Sequence, residues 1–128
     1  MSDSVANLLT MIRNAQAVGK ENVKIPFSGF CLRVAEKLQE KGFLSKVEKS
    51  GKTGKRYLDI TLSYEESGEG KIKQIARVSK PGQRMYSDYR NLRVRPGVTT
   101  IVSTPKGLMT GVEARKMKLG GEIVCEVR

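Results

Sequence analysis

The sequence predicts an α+β protein of two small lobes: an N-terminal α-β-α-β-β lobe, and a C-terminal, mostly β lobe with a short helix. Three observations predict it. Apolar residues recur at helical spacing twice in the first forty residues and nowhere else at that length. Period-two alternation and short β-branched runs dominate the rest, above all 55–62 and 98–103. Between them, 63–70 loses periodicity and reverses local charge, with Glu65, Glu66 and Glu69 among two glycines and two serines. The lobes are therefore bounded as 1–66 and 67–128. Each is marginal alone by size, which favours lobes that pack on each other.

In order, Ser2 or Asp3 can cap a first helix, with Val5, Leu8, Leu9 and Ile12 on one face and Gly19 closing it. Val23 and Ile25 alternate with Asn22 and Lys24 in a strand stopped by Pro26. Ser28 caps a second helix whose apolar side is Phe30, Cys31, Val34, Ala35 and Leu38, ended by Gly42. The runs 43–47 and 55–62 form a hairpin about a turn at 50–54. Gly51-Lys52-Thr53 has the tail of a nucleotide-binding P-loop, but position 46 is Lys, not Gly, and a strand follows instead of a helix.

The second lobe opens with 71–78. Pro81-Gly82 suits a type II turn, Arg84-Met85-Tyr86 a short strand, and Pro96-Gly97 a further turn. The strand 98–103 leads into the polar turn Ser103-Thr104-Pro105-Lys106-Gly107. Thr110-Gly111-Val112-Glu113 is a capping box opening a helix at 111–118. Gly120-Gly121 breaks the chain before a last strand, 122–127.

Charge narrows the function. The 128 residues carry 24 basic and 13 acidic side chains, +11 with no His. Residues 1–70 hold +2 of that excess and 71–128 hold +9. A basic excess gathered in one lobe points to a polyanion partner there. Two cysteines without histidine make no metal set, and both sit at apolar positions, as small hydrophobes of a reducing compartment. No apolar run reaches membrane-spanning length and no signal-peptide pattern opens the chain, so no membrane or cofactor is expected. Nor does any nucleophile and base stand out for an enzyme.

The turn at 103–107 offers two hydroxyls, a lysine and a glycine backbone, groups that suit a phosphate, a 2′-hydroxyl or a base edge. Arg84 and Tyr86 add a cation beside an aromatic, able to hold a phosphate and stack on a base, or to form a plain surface cation–π pair. Glu122 can accept from 2′-hydroxyls or base amino groups, orient a basic side chain, or merely begin an edge strand. Lys46, Lys49, Lys52, Lys55 and Arg56 form either a second basic patch or a charged hairpin edge.

Ser103-Thr104-Pro105-Lys106-Gly107-Leu108-Met109-Thr110, Glu113-Ala114-Arg115-Lys116 and Gly120-Gly121-Glu122-Ile123-Val124-Cys125 together resemble the C-terminal signature of the eighth protein of the small ribosomal subunit. Ile12-Arg13-Asn14-Ala15 and Arg77-Val78-Ser79-Lys80-Pro81-Gly82, with Arg84 and Tyr86 after it, resemble the same family in the same order. Pro105 departs from the family's usual Ser, and Gly111 from a common Asp. The resemblance implies a non-enzymatic, cytoplasmic (or organellar) ribosomal protein that binds the central domain of small-subunit rRNA. It further implies contact with neighbouring ribosomal proteins and, in many bacteria, with its own operon's message. It carries Ser103, Thr104, Lys106, Gly107, Tyr86 and Glu122 over as the main RNA surface, with Pro105 in the same turn. Arg84, Arg13, Asn14 and Lys55 are secondary contacts on the same ground. A regulator that binds mRNA would use the same surface.

Overall fold

The computed structural model describes residues 4–52 and 54–128. The expected helix cap at Ser2 or Asp3, and Thr53 of the hairpin turn, lie outside the described residues. The chain divides into two compact units, Met1–Ile72 and Lys73–Arg128.

In the first unit, α1 (Ser4–Ala17), β1 (Asn22–Pro26), α2 (Gly29–Glu40), β2 (Leu44–Lys52) and β3 (Lys55–Leu62) follow in the predicted order. The sheet is antiparallel, ordered β1-β3-β2. Its core joins Val5, Leu8, Leu9 and Ile12 of α1, Cys31, Val34, Ala35 and Leu38 of α2, Ile25 of β1, and the alternating Leu58, Ile60 and Leu62 of β3. Both helices stop by the same device. The Phe43 N–H reaches back to the Leu38 carbonyl and the Lys20 N–H to Ala15, around Gly42 and Gly19 at positive φ. Ser28 caps α2 by accepting the Cys31 N–H. Residues 70–72 stay with this unit because the Gln16 amide clasps Ile72. It donates to the Ile72 carbonyl at 2.6 Å and accepts its N–H at 3.3 Å.

The second unit is built on β8 (Gly121–Val127). Along one edge β8 pairs first with β5 (Tyr86–Ser87) and then with β4 (Ile75–Arg77). Along the other edge it pairs with β6 (Thr99–Thr104), which pairs with β7 (Gly107–Thr110). Leu92, Val102, Met109 and Ala114 form a buried cluster under α3 (Gly111–Lys116), with Tyr89, Leu119 and Ile123 against it. The capping box is present in full, Thr110 and Glu113 each accepting the other's backbone N–H.

Four local expectations change. Residues 50–52, expected in the hairpin turn, are the end of β2, paired with residues 57, 56 and 55. Residues 107–110 are a strand, so the polar turn is the tip of a hairpin and not a direct strand-to-helix joint; Met109 and Thr110, both buried, account for the extra strand. Gly82 lacks the positive φ of a type II turn: Lys80 and Gln83 exchange both backbone bonds around Pro81-Gly82 without it. The strand expected at 84–86 pairs regularly only at Tyr86–Ser87: the Arg84 guanidinium reaches Glu122, and the Met85 N–H goes to the Ser79 hydroxyl while its carbonyl still accepts the Ile123 N–H.

Candidate nucleic-acid interface

The turn Thr104–Gly107 is closed from inside. Thr104 is 8% exposed; its hydroxyl donates to the Gly107 carbonyl at 2.7 Å and accepts the Lys106 N–H at 3.2 Å. One acceptor lone pair is all it has left, so its contribution here is to hold the turn's shape. Neither Pro105 nor Lys106 takes a positive φ; Gly107, just after them, does, at 113°. Pro105 and Lys106 stand exposed at the tip, and the Lys106 ammonium has no partner among the described residues. The Ser103 hydroxyl is likewise uncommitted among the described residues, and is partly exposed.

A single irregularity in the sheet brings the other candidates to this turn. Ile101 pairs with Cys125, but Val102 pairs with Ile123, so Val124 is an extra residue on β8. Beyond that bulge Glu122 stands opposite Ser103; unbroken pairing would have placed Ile123 there. On its other side Glu122 stands opposite Tyr86. Directly opposed residues share a sheet face with Cβ atoms about 4.5–5.5 Å apart. Tyr86, Glu122 and Ser103 thus form one row across three strands. Tyr86 is 68% exposed, unusual for so large an apolar ring and apt for stacking on a base. Arg84 donates to Glu122 Oε2 at 3.0 Å.

Three supports carry no signal in hydropathy. Gly121 presses on β6: a Cβ there would lie 2.0 Å from the Ser103 carbonyl oxygen. Gly120 presses on the end of β5, where a Cβ would lie 2.5 Å from the Ser87 carbonyl oxygen. The third support, Ser79, is buried and bonded to Glu122. Reading by residue type alone passes over all three; only the Gly-Gly-Glu and Arg77-to-Gly82 signatures mark them.

Arg13, Asn14 and Lys55 belong to the other unit. Arg13 and Asn14 are exposed near the end of α1, Asn14 beside a shallow depression with Met11, Val18, Lys20 and Val23. Lys55 is exposed at the first position of β3, opposite Lys52. Arg56 lies over the Phe27 ring and Lys24 over the Tyr57 ring, so part of this charge is spent on cation–π contacts.

The site holds little that could do covalent chemistry. Burial pushes the Cys125 thiol from 9.0 up to about 12, with Arg77 opposing and Glu126 adding to the rise. A thiol kept protonated at neutral pH is a poor nucleophile. Among the described residues no cluster of His, Cys, Asp and Glu could hold a metal, and no helix is long and apolar enough to cross a membrane. What the surface offers is an exposed ring, a serine hydroxyl, a lysine and a carboxylate–guanidinium pair. It lies in a unit with twelve basic and four acidic side chains. Such groups bind RNA by backbone contact, stacking and base-edge hydrogen bonds.

The chain is 41% identical to small ribosomal subunit protein uS8 of Thermus aquaticus, covering 99% of each chain. It is 43% identical to the uS8 protein of Acidovorax sp. (strain JS42) and 40% identical to that of Pelagibacter ubique (strain HTCC1062), each match covering 99% of this chain and 98% of the relative. The sequence model for ribosomal protein S8 matches residues 3–128, and the chain belongs to that family.

Proposed function

We propose that this protein, a structural constituent of the small ribosomal subunit, binds the central domain of small-subunit rRNA directly and helps that domain assemble. The observation that carries the reading is the row Tyr86, Glu122 and Ser103, set beside the Thr104–Gly107 turn by the β8 bulge. The roles follow from chemistry. Tyr86 stacks on an unpaired base, Ser103 and the Gly107 backbone meet sugar or base edges, and Lys106 and Arg84 meet phosphate. Glu122 accepts from a 2′-hydroxyl or a base amino group. Thr104 and Pro105 keep the turn in shape before RNA arrives, which lowers the ordering cost of binding. Arg13, Asn14 and Lys55 are secondary contacts from the other unit, and the 67–128 lobe supplies most of the affinity.

The protein works by binding and not by catalysis, in the cytoplasm or an organelle of bacterial descent, among neighbouring ribosomal proteins. The same surface would recognise a matching stem in its own operon's message. The test is to isolate the tagged chain from cells and measure its RNA. The reading expects small-subunit rRNA in stoichiometric amount, with protection from chemical probing confined to the central domain. Absence of the chain from assembled small subunits, or protection in another domain only, overturns it.

A further inference from the structure

Glu122 is held from two sides at one oxygen. Its Oε2 accepts the Ser79 hydroxyl at 2.5 Å and the Arg84 guanidinium at 3.0 Å; its Oε1 has no partner among the described residues. Arg84 is 42% exposed at the side chain, and an ion pair that open to water holds a rotamer weakly. Ser79 is different. It is 2% exposed and built into the sheet edge. Its N–H donates to the Ile123 carbonyl at 3.0 Å, and its carbonyl takes the Arg77 Nε. Its hydroxyl accepts the Met85 N–H at 3.2 Å, while Met85 in turn accepts the Ile123 N–H at 2.9 Å. The hydroxyl hydrogen therefore has one fixed direction, toward Glu122, and charge assistance strengthens that bond.

We propose that Ser79 is the positioning residue of the RNA surface: it locks the Glu122 carboxylate so that Oε1 faces outward as a fixed acceptor. This rests on the RNA reading above. An ionised carboxylate only accepts hydrogen bonds. Phosphate oxygens are acceptors too, so a fixed Oε1 repels the RNA backbone and takes a sugar hydroxyl or a base amino or imino group. In a unit whose charge attracts any RNA, that repulsion makes a register specific. Ser79 thus governs specificity through Glu122 without touching RNA.

The test uses the full chain and two probes: a transcript of bacterial small-subunit rRNA and a scrambled transcript of equal length, at one salt concentration. Ser79→Ala is expected to lower the preference for the ribosomal transcript roughly tenfold, the scale of one hydrogen bond to a charged group. Affinity for the scrambled transcript should hold, and Ser79→Thr should restore most of the preference. In a Glu122→Gln background, Ser79→Ala should cost less than about twofold more, since coupled residues are non-additive. Ser79→Cys fills the space with a weak donor and is read the same way if Ser79→Ala does not fold. Equal loss for both RNAs, or the same loss with and without Glu122→Gln, overturns the assignment and leaves Ser79 a structural residue. A parent without preference for the ribosomal transcript overturns the RNA reading itself.

Discussion

Gly121 lies so close to Ser103 that a Cβ on the glycine would come within 2.0 Å of the serine's carbonyl oxygen and 3.1 Å of the Thr104 Cα. The obstacle is backbone, which cannot rotate away as a side chain would. The last two residues of β6, and with them the hairpin tip, therefore keep their place only while position 121 has no side chain.

Gly121→Ala should destabilise the fold by about 1–3 kcal/mol, the usual cost of overpacking. It should also weaken RNA binding, since relief of the clash displaces Ser103 and the turn. Gly120→Ala, with a Cβ 2.5 Å from the Ser87 carbonyl oxygen, should behave alike. Gly82→Ala is the control: nothing lies within 4 Å of its Cβ and its φ is not positive. It should change stability by less than about 1 kcal/mol, in the stabilising direction, by restricting the unfolded chain. Denaturant melts of the three variants decide this; a Gly121→Ala protein as stable as its parent would refute the close contact.

Lys118 is the one non-glycine residue at positive φ among those described, at 57°. It occupies the place after α3 that Gly19 and Gly42 occupy after α1 and α2, with the Leu119 N–H bonded back to the Ala114 carbonyl. A side chain in left-handed backbone costs about 1–2 kcal/mol, partly offset in a Gly variant by the freer unfolded chain. Lys118→Gly should stabilise by up to about 1 kcal/mol, and Lys118→Val should destabilise by more than that. Thermal melts check the signs, and identical midpoints for the two variants would contradict the assignment.

How much of this could be read from the residues differs by element. Both long helices, their glycine stops, Ser28, the capping box at Thr110 and the 55–62 strand follow from short-range chemistry, and their bounds fall within a few residues of expectation. The bulge at Val124 does not. It depends on how β8 registers against β6, a contact between residues more than twenty positions apart, and alternation along 122–127 points to no such break. Hence Glu122 was readable as a candidate by its type and family signature, but its place between Tyr86 and Ser103 was not. Ser79 is a further case, since a serine in a polar stretch gives no sign that it is buried. Thr104 was legible as part of the turn, yet its inward hydroxyl depends on the carbonyl of Gly107, which only the closed hairpin supplies.

Cys125 links burial to pH. Its thiol is raised from 9.0 to about 12 in the folded chain. The unfolded chain therefore releases this proton first as pH rises. The contribution to stability is complete below about pH 9 and is lost between about 9 and 12. The measurement is the difference between parent and Cys125→Ala in denaturant melts, which isolates the thiol. The parent's advantage should shrink as pH rises from 9 to 11, and a constant difference would contradict it. The thiol should also resist alkylation at pH 8 until the protein unfolds.

The turn offers a test in which neighbouring residues must fail in different ways. Thr104 acts inside it: Thr104→Val keeps the shape but leaves the Gly107 carbonyl and the Lys106 N–H without their partner. Because Lys106 and Gly107 are exposed, water can replace the hydroxyl, and the loss should be about 0.5–1.5 kcal/mol, the net worth of an ordinary hydrogen bond. Some of that should appear as lost protein stability and some as weaker binding of specific RNA, and Thr104→Ser should recover both because it keeps the hydroxyl. Lys106 acts outside the turn, exposed and uncommitted among the described residues. Lys106→Ala should leave the melting midpoint unchanged and weaken binding to specific and scrambled RNA alike. The salt dependence of log K should become shallower by about 1, one phosphate contact's worth of released counterion. Pro105→Ser restores the family's commoner residue, and should alter affinity by less than about 1 kcal/mol, the scale of one proline's effect on chain entropy. Titrations at two salt concentrations, with melts alongside, separate the three. If Lys106→Ala lowers the melting midpoint while Thr104→Val changes only the salt slope, the inside and outside roles are reversed and the turn does not work by this geometry.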